Sequence, residues 1–161
     1  MMNYIVAFDF TDPAVAGAAT VLTKTLTKHI FVDVNQHSSW PAAQQGCTLY
    51  IIDHGSGRQF GDESDANRLL NHHFQGGTLR DVYKQANKVV LVACSTADQA
   101  QLIFKKNGFQ ARTFAQNLKA VDKGKTIVAA VGPVYAANGQ LHVVSPTGVI
   151  GFGASGGWVT L

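Results

Sequence analysis

Five runs of apolar residues divide the chain: Asn3 to Phe8, His29 to Val34, Thr48 to Asp53, Lys88 to Cys94 and Lys125 to Val131. The apolar positions are nearly continuous rather than alternating, the pattern of strands buried on both faces of a parallel sheet. Between the runs, apolar residues recur at helical spacing. Val15, Ala18, Ala19, Leu22 and Leu26 follow Asp12-Pro13, which reads as an N-cap with proline in the first turn. A helical piece is expected over Asp65 to Phe74, inside an otherwise irregular, glycine-punctuated stretch from Gly55 to Gly77. Thr78 with Asp81 resembles a capping box ahead of Leu79, Val82, Tyr83 and Ala86. Asp98 to Lys106 reads as another helix, stopped at Asn107-Gly108, and Phe114, Leu118 and Val121 mark the next. Gln36 to Gly46, with Trp40 and Pro41, reads as a loop.

After the fifth run the pattern changes. Val134 to Val144 centres on Asn138-Gly139, a strong two-residue hairpin signal because both positions must adopt positive φ. The tail from Ser145 to Leu161 is rich in glycine, and its GFGASGG stretch has no helix after it to make a phosphate loop. This order of elements predicts one domain over residues 1–161, a three-layer α/β fold with a mainly parallel central sheet and a C-terminal antiparallel hairpin.

Composition changes this picture little. The chain has 161 residues, 46% of them hydrophobic and 14% charged, enough for one sizeable core. A net charge of +3 comes from 13 scattered Lys and Arg residues whose densest cluster is Lys105-Lys106, so neither a nucleic-acid nor a membrane patch is expected. The start, with Asp9 and Asp12 close behind a short apolar run, reads as a strand rather than a cleavable signal peptide. A cytoplasmic protein or an effector exported without such a signal is the expectation. Cys47 opens the strand that His54 closes, whereas Cys94 closes another. At about 3.3 Å per residue this separates the sulfurs by roughly 20 Å, so two free thiols are expected, as suits a reducing compartment.

The chemistry concentrates at two strand ends. His54 precedes Gly55 and Cys94 follows Ala93, each directly after an apolar run. Parallel sheets carry their sites at the carboxyl ends of their strands, so both side chains are expected on one edge. An imidazole near a thiol is the minimum equipment for cysteine nucleophilic catalysis, since the base raises the fraction of thiolate.

An apolar block ending in His-Gly, a second block ending in Ala-Cys and a spacing of forty residues between His54 and Cys94 resemble the clan of cysteine peptidases that holds caspases, legumains, clostripains, gingipains, CHAT peptidases and the self-processing domains of bacterial toxins. The later stretch FAQNLKAVDKGKTIVAAVGPVYAANGQLHVV and the closing GGWVT also resemble toxin-associated members. The resemblance implies a caspase-like sandwich and an endopeptidase acting on a protein or peptide, without metal or cofactor. Cys94 would attack the scissile carbonyl, His54 would protonate the leaving amine, and the amides of Gly55 and Cys94 would form the oxyanion hole.

Asp9 closes the first strand, which in this fold lies beside the third; it could orient His54, line the pocket for the substrate residue before the cut, or simply cap its own turn. Legumain-like members carry asparagine near this place, so aspartate is a departure. Strand alternation points Asp53 away from the His54 face. Ser56 and Ser95 flank the dyad and are candidates for substrate contact or for holding turn backbone. Gly132-Pro133 and the hairpin are candidates for one pocket wall. His72-His73 has no partner at metal-ligand spacing. Two other functions stay open: a catalytically silent member of the same fold, and a flavodoxin-like module that binds a small anion. Hydrolysis by Ser56 or Ser95 lacks a glycine-flanked nucleophile elbow.

Overall fold

A computed structural model describes residues 1–33, 42–55, 60–63, 65–94, 113–145, 148–151 and 156–161. Ser56, Ser95, Trp40, Pro41, the end of the second apolar run and the helix expected over Asp98 to Lys106 lie outside these. The main sheet is built from β1 (Asn3–Ala7), β2 (His29–Asp33), β3 (Thr48–Ile52), β4 (Lys88–Val92) and β5 (Thr126–Ala130), all parallel, in the spatial order β2-β1-β3-β4-β5. Its helices are α1 (Pro13–Thr25), α2 (Ala66–His73), α3 (Gly77–Gln85) and α4 (Phe114–Val121).

Burial explains why the runs are continuous. β3 is buried at every position, and its alternate residues enter two separate cores. Leu49 and Ile51 pack with Leu69, Val82 and Leu118, so α2, α3 and α4 cover one face. Tyr50 and Ile52 pack with Val15, Ala19 and Leu22 of α1 on the other. A strand with helices on both sides has no polar face to show. Leu49, Ile51, Leu91 and Ile127 are fully buried, and truncating any one to alanine is expected to cost about 2–5 kcal/mol.

The C-terminal part departs from the expected simple hairpin. β6 (Val134–Ala137) and β7 (Gln140–Ser145) pair antiparallel across Asn138 and Gly139, at φ 52° and 72°. A third strand, β8 (Gly148–Gly151), joins them, so the appendage is a three-stranded sheet on the α1 side, with Leu141 and Val143 in that core. The last residues, β9 (Trp158–Thr160), return to the main sheet and pair antiparallel with β5, making it six-stranded. Among the described residues no helix is long and apolar enough to cross a membrane.

Candidate active site

The strand order reverses between β1 and β3, since the chain goes from β1 outward to β2 and then returns to β1's other side. In open α/β sheets the crevice beyond the carboxyl ends at such a point is where ligands bind. Asp9 and Asp12 follow β1 there, and Asp53 and His54 follow β3. Cys94 comes two residues beyond the neighbouring β4.

Asp12 is the N-cap of α1, and its carboxylate has two tasks. Oδ1 accepts the amides of Ala14 and Val15 at 2.9 and 3.3 Å, while Oδ2 lies 2.8 Å from Nε2 of His54. The contact with His54 holds the Asp12 carboxyl below its ordinary value, and the cap bonds add to this. In return Asp12 raises the His54 imidazole above its ordinary value, against the opposing effect of burial, and the charges of Asp53 and Asp9 act in the same direction. The His54 side chain stays 58% exposed, so a substrate can reach it.

The backbone around His54 is pinned from both sides. Its amide donates to Asp53 Oδ1 at 2.7 Å, and its carbonyl accepts the Gly61 amide at 2.6 Å. Phe60 and Glu63 exchange two backbone bonds, closing a tight turn that puts Gly61 at φ +56° against the Asp53 carboxylate. Burial pushes the Asp53 carboxyl up, and the nearby charges of Asp62 and Asp9 push the same way.

Cys94 is half-buried and faces the start of the antiparallel sheet. The Val134 amide donates to its Sγ at 3.3 Å, and the thiol can donate to the Val134 carbonyl at 3.8 Å. The segment after β5, with Gly132-Pro133, thus forms a wall beside Cys94. Gly132 packs so closely on β7 that a Cβ there would overlap the Val144 carbonyl oxygen. Cys94, Val134, His54, Asp53 and Ala14 line one cavity of about 40 Å³. A larger cavity of about 680 Å³ also has His54 and Asp53 in its lining, together with Asp9, Phe60, Asp62 and Glu63.

Of the residues singled out in the sequence, His54 and Cys94 therefore share a cavity, and Gly55, next to His54, bridges antiparallel to Phe60. Asp9 lines the larger cavity, and its Oδ1 accepts the Thr11 hydroxyl at 2.6 Å. The side chain that reaches the His54 ring is Asp12, whose only role in the sequence reading was as a cap. That partner was accessible in principle: a cap at the start of α1 sits at the same edge as the end of β3, because β1 and β3 are neighbours. Asp53 does not point away from His54, since both line the same two cavities. The β3 ladder ends at Ile52, and strand alternation has no hold on the turn beyond it. His72 and His73 do have an acidic partner: their rings lie 2.6 and 3.7 Å from Oε1 of the nearly buried Glu63. Among the described residues no group of three or more ligating side chains is placed to hold a metal ion. Cys47 is fully buried and unpaired, and burial pushes its thiol up.

No protein-family model matches the chain, and no curated protein matches it.

Proposed function

We propose that the chain is a cysteine endopeptidase of caspase-like fold, using Cys94 as nucleophile and His54 as proton carrier. The observation that carries this is the cavity shared by Cys94 and His54, from the ends of adjacent strands, with His54 held by a carboxylate. In the reaction, the Cys94 proton passes to the His54 imidazole, and the thiolate sulfur bonds to the scissile carbonyl carbon. The carbonyl oxygen takes up negative charge, and the Gly55 and Cys94 amides are the donors assigned to it. When the carbon–nitrogen bond breaks, the imidazolium gives its proton to the departing amine. Water then attacks the thioester, giving a carboxylic acid and the free thiol. Asp12 serves as a positioning residue: it fixes the ring and stabilises the imidazolium that must form. A setting among toxins or effectors is what the resemblance of the later stretches implies.

The experiment is digestion of an unstructured peptide library by the wild type, Cys94→Ser and His54→Ala proteins, read by mass spectrometry. Cleavage by the wild type that both variants lose is the expected result. Equal cleavage by all three, or by none, contradicts the proposal.

A second reading has one observation in its favour. The order β2-β1-β3-β4-β5 is also that of flavodoxin-like domains, which bind an anionic cofactor at the β1/β3 crevice. Here that crevice is lined by carboxylates, which repel phosphate rather than hold it. A yellow protein as purified would favour this alternative.

A further inference from the structure

Lysines that look scattered along the chain meet at the amino edge of the main sheet, the end opposite His54 and Cys94. Lys88 opens β4, in register with Thr48 of β3 and Thr126 of β5. Lys28 precedes β2, and its carbonyl accepts the Asn3 amide at the start of β1 at 3.1 Å. Lys123 lies between α4 and β5, where its carbonyl accepts Lys119 Nζ at 3.0 Å. Lys24 and Lys84 sit in the last turns of α1 and α3, helices that run back along opposite faces of the sheet and so end at this edge. All five are exposed, and among the described residues none pairs with a carboxylate; the pairs of Lys and Arg are those of Arg68 and Lys125. The acidic neighbours are engaged elsewhere. Asp81 accepts the Ala43 amide at 3.1 Å, and Asp122 accepts the Tyr83 hydroxyl at 3.2 Å and lies 3.8 Å from the buried Lys125. A lysine in a last helical turn offsets the helix dipole, which accounts for Lys24 and Lys84 but not for Lys28, Lys88 and Lys123, outside the helices.

We propose that this edge is a docking face for an anionic lipid surface, held by charge and without insertion. Neighbouring strands lie about 4.8 Å apart, so the row from Lys28 before β2 to Lys123 before β5 spans about 19 Å, and Lys24 and Lys84 widen it on the two sides. The charges form a broad patch on one end of the molecule rather than a lined groove. The cavities of about 680, 250 and 40 Å³ include none of the five lysines. Lysine is a hydrated point charge on a flexible stem, which suits many headgroups in no fixed geometry. Its attraction to an anionic leaflet falls off within about 10 Å at 0.1 M salt. The opposite edge carries Asp9, Asp12, Asp53, Asp62 and Glu63, about 20 Å away along β3. Those carboxylates lie beyond that range, so they do not cancel the attraction; they orient the approach, leaving His54 and Cys94 turned away from the lipid. A nucleic acid suits the patch less well. Single strands are held by stacking on aromatic side chains, and the exposed aromatic residues described, Phe10 and Tyr135, belong to the carboxyl edge and to β6.

The test is sedimentation of the wild type with vesicles of phosphatidylcholine containing about 30% phosphatidylserine, and with vesicles of phosphatidylcholine alone, at about 0.1 M salt. Binding to the first and not the second is expected, with release at about 1 M salt, where charges are screened within about 3 Å. Lys28→Gln/Lys88→Gln should weaken binding about thirtyfold, about fivefold for each charge, while Lys28→Arg/Lys88→Arg should keep it. Arg68→Gln removes a charge from α2, which borders the cavity at the other edge, and should change binding by less than about twofold. Bound vesicles should also slow acetylation of Lys24, Lys84 and Lys123, read by peptide mass, and leave iodoacetamide labelling of Cys94 unchanged. Equal binding to neutral vesicles, no binding to anionic ones, no loss in Lys28→Gln/Lys88→Gln, or an equal loss in Arg68→Gln overturns the proposal. Tighter binding to duplex DNA than to the anionic vesicles overturns it too. Cys94 takes no part in the docking, so the Cys94→Ser protein should bind as the wild type does, and the result stands apart from whether the chain cleaves peptides.

Discussion

The Oδ2 atom of Asp12 lies 2.8 Å from Nε2 of His54 while Oδ1 of the same carboxylate caps α1. A single side chain therefore ties the first helix of the fold to the histidine at the end of β3. The helix N-terminus carries a partial positive charge, which favours an ionised carboxylate at this place, and it is this carboxylate that favours the imidazolium.

The two tasks of Asp12 can be separated by substitution. Asparagine is as good an N-cap as aspartate, so Asp12→Asn should keep the cap, lose only the His54 pair, and lose the cleavage proposed for the wild type. Asp12→Ala should lose the cap as well, at a cost of about 0.5–2 kcal/mol in chemical denaturation. Equal destabilisation by both substitutions would mean that the His54 contact, not the cap, is the structural element.

His54 titration gives a pH test with a defined sign. Its folded value is raised above the ordinary 6.5, so its stabilising contribution is complete below 6.5 and lost as pH rises through the folded value. The Asp12 carboxyl is lowered below the ordinary 3.8, so its contribution is present above 3.8 and lost as pH falls through the folded value. The pair is therefore strongest across the interval between. Proton NMR of the His54 ring should show a midpoint above 6.5 in the wild type and a lower one in Asp12→Asn. A wild-type midpoint at or below 6.5 would show the contact to be absent in solution.

Gly61, in the lining of the larger cavity, is tied to His54 through the backbone. At φ +56° any L side chain is strained, and here a Cβ would also collide with the Asp53 carboxylate. Gly61→Ala should cost about 1–3 kcal/mol from the backbone term alone and should move Asp53 off the His54 amide. Denaturant unfolding checks the first effect, and the position of the His54 amide resonance checks the second.

Much of the fold was legible because β1, β3, β4 and β5 are almost wholly buried between two cores and so stand out as unbroken apolar runs. Their ends were less legible. The runs extend one or two residues past each ladder, into Phe8, Asp53, Ala93 and Cys94, where turns rather than strand geometry aim the side chains. Thr78 and Asp81 looked like a capping box, but the chain enters α3 earlier, through Gly77 at φ +61° with Gly76 as N-cap. Asp81 is left inside the helix, and its carboxylate accepts the Ala43 amide at 3.1 Å instead. β9 escaped because three residues are too few to show a period; its place is set by pairing with β5 and by the buried Trp158. At the site, His54 and Cys94 stood out by position along the chain. The Asp12 contact and the acidic cavity are tertiary, assembled from the ends of β1 and β3 and the Phe60–Glu63 turn.

Cys47 is a poor internal reference for the reactivity of Cys94, since its complete burial makes it slow for reasons unrelated to catalysis. The decisive comparison is between proteins: the rate of iodoacetamide labelling at Cys94, followed by peptide mass at neutral pH, in the wild type and in His54→Ala. The account predicts rapid labelling in the wild type and a rate about tenfold or more lower in the variant, because the variant lacks the base that is to take up the Cys94 proton. Equal rates in the two proteins would contradict it, leaving Cys94 and His54 as neighbours without shared chemistry.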